Sequence, residues 1–262
     1  MKFRTDRPVK IVMLGAGGTG GHAAPHLYRL LCALDRNVRF ILVDGDAVED
    51  KNLCRQNFSK FDLGKNKART MAERYADAFG IEPEYIPDFI EDKARLKALL
   101  EPEIHSLPRH VWYREKSRLA KAVNELVILI GAVDNNKSRR LCHDVFMDSR
   151  DLVYIDSGNG EFSGQVVCGV RRGGKTMFQP VGALYPDILE VTDKFPTELS
   201  CAEASISAPQ TITANVAAAT IVVELVYNIV VLGENDVRSA SFSTKTINTK
   251  SYIKRPKRSA AK

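Results

Sequence analysis

Paired cysteines at C-x-x-C spacing are missing from this chain: its five cysteines, Cys32, Cys54, Cys142, Cys168 and Cys201, are odd in number and widely spaced. Such spacing cannot assemble a tetrahedral zinc site, so zinc is not expected. The opening Met1-Lys2-Phe3-Arg4-Thr5-Asp6-Arg7 lacks the apolar stretch of a secretion signal, and with the odd cysteine count this points to free thiols in a reducing, cytoplasmic setting. Long apolar runs are missing too. None reaches the ~18 uninterrupted residues that suggest a membrane crossing, and no membrane partner is expected. Internal repeats are absent. The net charge of +6 equals the six cations Lys250, Lys254, Arg255, Lys257, Arg258 and Lys262, so residues 1–249 are formally neutral. Residues 250–262 read as a basic tail, with no specific nucleic acid as its partner. A hydrophobic content of 44% over 262 residues excludes disorder and suffices for one large core.

What is present is a series of polar signatures in a fixed order. Gly15-Ala16-Gly17-Gly18-Thr19-Gly20 follows the run Val9-Lys10-Ile11-Val12-Met13-Leu14 and precedes a helical spacing of Ala23, Ala24, Leu27, Leu30, Leu31 and Leu34. Strand, glycine turn and helix in that order let backbone N–H groups and a helix N-terminus face a phosphate, with Gly15, Gly17, Gly18 and Gly20 as the loop glycines. Val38-Arg39-Phe40-Ile41-Leu42-Val43 reads as a second strand ending at Asp44. An acid there, a little over ~20 residues after the glycines, can accept hydrogen bonds from both ribose hydroxyls. An NAD-dependent oxidoreductase would fit this much equally well.

The segment after Asp44 discriminates. Asp46, Asn52, Arg55 and Gln56 follow in one run, and Lys65 and Lys67 in Gly64-Lys65-Asn66-Lys67 come next. The two bridging phosphates of a dinucleotide do not need so many cations, whereas a triphosphate does; a lysine near the α-phosphate also stabilises charge that develops during displacement. Taken singly, each of these is an ordinary solvated loop cation or a helix-capping asparagine. Leu126-Val127-Ile128-Leu129-Ile130-Gly131-Ala132-Val133 reads as a buried parallel strand that ends at Asp134-Asn135, with Arg139 beyond. A carboxylate at that strand end sits where open α/β sheets bind ligands and can hold a metal ion, or it can cap the helix that begins near Lys137. None of His22, His26, His105, His110 or His143 falls within these signatures; each reads as structural or solvated.

The run D-x-D-x-V-x-x-x-N-L-x-R-Q, followed by G-K-x-K and by D-N-x-x-x-R, resembles the superfamily of ThiF, MoeB and the ubiquitin-activating enzymes. The resemblance covers residues ~9 to 160 well and the rest loosely. Within the superfamily, Ser200-Cys201-Ala202-Glu203 before a long apolar helix is most similar to ThiF-type proteins of the PRTRC system. The resemblance implies a Rossmann-like, doubly wound, mostly parallel sheet with additional C-terminal strands and one long apolar helix. It implies ATP and Mg²⁺ as ligands. Asp44 would hold the ribose, with Asp46 in the same binding segment, and Asn52, Arg55 and Gln56 would hold the triphosphate. Lys67 would contact the α-phosphate region and Asp134 would organise the metal. The activity implied is adenylation of the C-terminal carboxylate of a ubiquitin-like protein, with Cys201 on a crossover loop near 186–210 either as acceptor of a thioester or as an inert small side chain in a loop or at a core edge. Partners would be that protein, a conjugating or sulfur-transfer protein, and a second copy of the chain, to which only Arg4 or Arg7 could lend an arginine from the N-terminus. Many relatives carry two zinc-binding C-x-x-C pairs; this chain departs from them.

The residues therefore predict a single adenylation domain over 1–249, with its nucleotide-binding core at 9–160, an extension at 161–249 and the tail after it. Residues ~92 to 125 read as a charged, partly helical insertion: a docking element, a lid or equally a decorative excursion. Gly158-Asn159-Gly160 reads as a turn, Gly164 to Val170 and Val237 to Ile247 as strands, and Pro209 as the opening of the apolar helix through Val231. Cys32, Cys54, Cys142 and Cys168 are expected to be packed inside. The rival classes are an NAD-dependent oxidoreductase, which lacks an acid–base residue here, and a non-catalytic nucleotide-binding module.

Overall fold

A computed structural model describes residues 1–106, 122–190, 193–198 and 210–253 of the chain. The apolar runs singled out above become β1 (Val9–Leu14), β2 (Val38–Val43) and β6 (Leu126–Gly131), each fully or largely buried. With β3 (Glu84–Ile86) and β7 (Leu152–Asn159) they form parallel ladders in the order β3-β2-β1-β6-β7. The order reverses between β1 and β6. That reversal opens a crevice at the carboxyl ends of the strands, the place where doubly wound sheets bind ligands.

Beyond β7 the sheet continues antiparallel through β8 (Ser163–Arg172), β10 (Val237–Ser243) and β11 (Asn248–Ile253), with β9 (Lys175–Phe178) paired to β8. Side chains alternate between two cores. Val9, Ile11 and Met13 face one cluster, and Val12 and Leu14 face the other. On the first side lie α1 (Gly18–Cys32), α2 (Lys67–Phe79) and the long apolar helix; on the second lie α3 (Lys93–Leu99), α4 (Asn136–Asp148) and the short α5 (Val181–Leu184). The apolar helix, α6, runs Ile212–Val230 with Thr211 as N-cap, its side chain accepting from the Ala214 N–H. By length and composition it could cross a membrane, but it packs along α1 and buries Asn215 among hydrogen bonds, which marks it as a core helix.

Several expectations are corrected. Residues 93–99 are the crossover helix that any doubly wound sheet requires between β3 and β6, and Leu96 and Leu100 are buried in the second core; the excess begins after it. Its stem, β4 (Ile104–Ser106) paired with β5 (Ala122–Asn124), stands at the amino end of β6, away from the crevice. The stem therefore does not favour a lid, and residues 107–121 lie outside the described residues. Gly158 and Asn159 belong to β7 rather than to a turn. The last strand continues through Lys250 to Ile253, so the expected basic tail starts inside β11, and residues 254–262 lie outside the described residues. Cys142 and Cys168 are buried as expected, but Cys32 and Cys54 are exposed.

Candidate functional site

The glycine signature turns the chain from β1 into α1 directly against β6. Gly15 adopts φ +95°, and a side chain on it would meet the Ala132 carbonyl oxygen at 2.4 Å. Gly20 lies so close to the Gly15 carbonyl that a Cβ there would stand 1.9 Å from it. Gly20 thus closes the loop from behind, while Gly15, Gly17 and Gly18 line the cleft above. Pro25 lies inside α1 and has no N–H to give to Gly21. The freed Gly21 carbonyl accepts instead from Asn57 Nδ2 at 3.2 Å, which fastens the Arg55–Gln56–Asn57 segment beside the helix.

Asp44 ends β2 with its carboxylate buried. Oδ2 accepts from the Ala16 N–H (2.7 Å) and Oδ1 from the Asp46 N–H (2.9 Å), so one side chain ties the glycine loop to the acidic segment. Burial pushes its pKa up to about 6, against the pull of the nearby Lys67 ammonium. Asn66 braces the same turn, donating Nδ2 to the Asp44 carbonyl (2.7 Å) while its Oδ1 caps α2 at Arg69. Lys67 is 6% exposed and reaches Asp46 at 2.8 Å; Lys65 points to solvent. The two lysines of one short motif therefore occupy opposite environments.

Asn52 is buried and its Oδ1 accepts from the Glu49 N–H at 2.8 Å, folding the chain into the turn that presents Arg55 and Gln56. Gln56 is buried, and its Oε1 has no hydrogen-bond partner among the described residues. Such an orphan costs roughly 1–3 kcal/mol unless a ligand or solvent meets it. On the opposite wall, Asn135 rather than Asp134 caps α4, accepting from the Ser138 N–H at 2.8 Å. Asp134 is exposed and makes no hydrogen bond or ion pair among the described residues. Beneath it, Arg139 Nη2 donates to the carbonyls of Val133 (2.9 Å) and Ser157 (3.2 Å), joining the ends of β6 and β7. The buried Asp156 lies 3.6 Å from Arg139 Nε and accepts from Tyr154 at 2.7 Å.

These walls enclose a cleft of about 290 Å³ at the strand-order reversal, lined by Gly15, Gly17, Gly18, Asp44, Asp46, Asn52, Arg55, Gln56, Lys67 and Asp134. All the candidate residues but two are thus brought together. Gly20 lies behind the loop, and Cys201 is outside the described residues. Of the crossover loop expected near 186–210, residues 186–190, 193–198 and 210 are described. Asp193 accepts from the Asn136 N–H (2.8 Å), the Thr197 N–H donates to Glu91 (3.1 Å), and Pro196 lines the cleft mouth. No described histidine lines the cleft.

Sequence reading missed a group of neutral amides. Gln210 and Asn159 line the cleft, and Asn215 lies wholly buried behind it. Nothing in the local sequence marks them, since their partners lie far along the chain. Phe89 and Ile90, following β3, form an apolar end wall beside Val43 and Leu14.

A free carboxylate at Asp134 suits Mg²⁺, which takes one or two carboxylates and completes its shell with water and phosphate oxygens. The orphaned Gln56 Oε1, the open glycine cradle and the cations at Arg55 and Lys67 fit a nucleotide polyphosphate. The only described grouping with three metal-ligating side chains, Glu103, His105 and Glu125, stands elsewhere, with Lys10 paired to Glu125 and Arg39 to Glu103.

The ThiF family description matches residues 6–262. No curated protein matches the chain significantly. Among solved structures, the chain is similar to PaaA (18% identity, TM-score 0.60), covering 94% of this chain and 64% of that one. It is similar to the Microcin C7 biosynthetic enzyme MccB in complex with N-formylated MccA (18%, TM-score 0.61, 94% and 64%). It is also similar to Escherichia coli MccB with ATP (18%, TM-score 0.56, 94% and 64%). The chain thus spans somewhat under two thirds of these proteins, and at such identity the likeness concerns the fold.

Proposed function

The chain belongs to the ThiF family, and on that premise we propose that it adenylates the terminal carboxylate of a polypeptide, specifically of a ubiquitin-like protein, using ATP and Mg²⁺. The observation that carries the reading is the convergence of Asp44, Arg55, Gln56, Lys67 and Asp134 on one cleft at the strand-order reversal. The MccB structures determined with ATP and with MccA give the reading support from relatives of the same fold.

Asp44 retains lone pairs for the ribose hydroxyls, and the apolar wall of Val43, Phe89 and Ile90 suits the base. The glycine loop and the α1 N-terminus face the phosphates. Arg55 and Gln56 bind the outer phosphates; Lys67 neutralises charge growing at the α-phosphate. A bound Mg²⁺, held at Asp134, would supply further charge neutralisation there. A polypeptide carboxylate is already ionised at neutral pH, so one of its oxygens bonds to the α-phosphorus while the bond to the β-phosphate oxygen breaks and pyrophosphate leaves. No general base is required, in keeping with a cleft whose described lining has no histidine. Positioning and electrostatics carry the rate.

Incorporation of labelled pyrophosphate into ATP, dependent on a ubiquitin-like protein encoded alongside this one, is the expected result. Exchange absent with every such protein, together with tight NAD binding, would return the oxidoreductase. A thioester at Cys201 is a separate step of the proposal, in which the thiolate attacks the adenylate carbonyl and AMP leaves. Cys201→Ser should then keep exchange and lose a thiol-sensitive conjugate; a conjugate that persists assigns the acyl transfer elsewhere. A homodimer is proposed from the exposed stripe Ile212, Val216 and Tyr227 on α6, continued by its C-cap Val231. Light scattering reads it directly. Arg4 pairs with Asp6, and Arg7 donates to the carbonyls of Asn124 and Glu125, so either would have to exchange these bonds to serve a partner's cleft.

A further inference from the structure

Arg55 is gripped at both ends by residues from distant parts of the chain. Its carbonyl accepts from Asn215 Nδ2 (3.2 Å) and lies 3.2 Å from Nε2 of His22, whose pKa burial lowers. Its guanidinium donates one bond, Nη1 to Gln210 Oε1 at 3.1 Å. A guanidinium has five N–H donors, and the others of Arg55 make no hydrogen bond among the described residues. The grip closes on itself through Asn159. Asn159 Nδ2 donates to Asn215 Oδ1 (2.9 Å), its carbonyl accepts from Gln210 Nε2 (3.3 Å), and its Oδ1 accepts from Thr19 in the glycine loop (3.1 Å).

Asn215 has no exposed surface and sits against the loop so closely that a side chain at Gly18 would meet its amide at 2.6 Å. A primary amide buried on a helix among apolar neighbours such as Ala214 and Ala218 is costly unless its bonds are made. Here they are spent on the backbone of one cleft arginine and on the end of β7. Apolar residues of similar size would fill the space; only an amide both donates to the Arg55 carbonyl and accepts from Asn159.

We infer that Asn215 and Gln210 are positioning residues that fix Arg55 for the β- and γ-phosphates, and so set the preference of the cleft for a triphosphate over a monophosphate. The inference rests on the adenylating function proposed above. Its consequence is selective: loosening Arg55 weakens contacts to the outer phosphates and leaves those of the ribose and α-phosphate in place.

The test is calorimetric binding of AMP and of ATP to the full chain, each with Mg²⁺, for wild type, Asn215→Ala, Gln210→Ala, Arg55→Ala and the double variants with Arg55→Ala. The expected result is an ATP affinity lowered about tenfold in each single variant, the order of one charge-assisted bond. AMP affinity should stay within about twofold. With Arg55 already replaced, neither amide substitution should cost ATP affinity further, as required of residues acting through a shared partner. Equal losses for AMP and ATP, or losses that add fully to that of Arg55→Ala, would overturn the inference. Gln210 is half-buried, so Gln210→Ala carries the test if Asn215→Ala fails to fold. A wild type that binds ATP no more tightly than AMP would instead remove the triphosphate reading itself.

Discussion

The parallel strands end in two cavities of comparable size, one at their amino and one at their carboxyl ends, and the two differ in what lines them. At the amino ends of β6 and β7 lies a cleft of about 360 Å³ lined by Arg7, Lys97, Arg150, Arg171 and Arg172 together with acids. Two of its arginines are spent. Arg7 donates to the Asn124 and Glu125 carbonyls, and Arg171 to Ser149, Thr176 and Gly174. Nearby, the buried Lys10 pairs with the buried Glu125 at 3.2 Å. At the carboxyl ends, by contrast, Asp134 is unpaired among the described residues, Gln56 Oε1 is orphaned, and Arg55 keeps most of its donors. Charge and volume alone do not tell the two ends apart; buried polar atoms left without a partner among the described residues do, for Gln56 Oε1 and Ser157 Oγ line the carboxyl-end cleft and no such atom lines the other, and a buried polar group left unpaired calls for something to meet it.

The contrast breaks most sharply under substitution of one cation at each end. Lys67→Ala, and likewise Asp134→Ala, should lower ATP–pyrophosphate exchange by about 10²- to 10³-fold, the usual cost of removing one preorganised charge, with little change in denaturant midpoint for Asp134→Ala because its side chain is exposed. Lys10→Met should do the reverse. It strands Glu125 without its buried counterion, which costs roughly 3–5 kcal/mol of stability, while exchange per folded molecule stays within about twofold. Full exchange in Lys67→Ala, or loss of exchange in a folded Lys10→Met protein, would erase the distinction between the two ends.

Lys10 also shows what the sequence conceals. Inside Val9-Lys10-Ile11-Val12-Met13-Leu14 nothing local says where its ammonium goes; it is 4% exposed and donates to the Glu101 carbonyl. The groups that neutralise it come from the stem of an excursion about 90 to 115 residues later. The same distance hides Asn159, Gln210 and Asn215, whose roles exist only once β7 and α6 meet the glycine loop. The glycine loop, Asp44 and the cations after it were legible because strand, turn and helix are contiguous and their chemistry is local. The single strand expected from Val237 to Ile247 ends at Ser243 as β10, and β11 lies wholly beyond it; β11 escaped notice because every residue in it is exposed, so no alternation of apolar and polar residues betrays it. Helix is legible somewhere in 92–125, but not the bounds of α3 or its role as the crossover, because its seven residues, with three cations, show too few turns for an amphipathic stripe.

A milder test uses pH. Asp44 has its pKa raised to about 6 by burial. An acid whose value is higher in the folded than in the unfolded chain binds its proton more tightly when folded. Its burial therefore costs nothing in strongly acidic solution, and the cost grows as pH rises from about 4 to about 6. Ribose recognition runs the other way, since the ionised carboxylate is the better acceptor. From pH 5.5 to 7.5, ATP affinity should rise several-fold, and 2′,3′-dideoxy-ATP should gain distinctly less, at a typical ~1.5–3 kcal/mol for each hydrogen bond to a charged group. Calorimetry at the two pH values, compared with Asp44→Asn, checks both slopes. Equal gains for the two nucleotides would detach Asp44 from the ribose.

The smallest effect sharpens the comparison within a single motif. Lys65 and Lys67 are two residues apart, carry the same charge, and differ only in where the start of α2 sends them: Lys67 inward to Asp46 and the neighbourhood of Asp44, Lys65 outward into solvent. An exposed ammonium outside the cleft acts on a bound phosphate only through water and screening salt, so its contribution falls away within a Debye length of about 8–10 Å. Lys65→Ala should accordingly change exchange less than about threefold, and the residual change should fade as salt is raised from 50 to 300 mM. Lys67→Ala should keep its deficit at every salt concentration. An essential Lys65 beside a dispensable Lys67 would mean that α2 turns during catalysis, and the inward face of that helix would need to be assigned afresh.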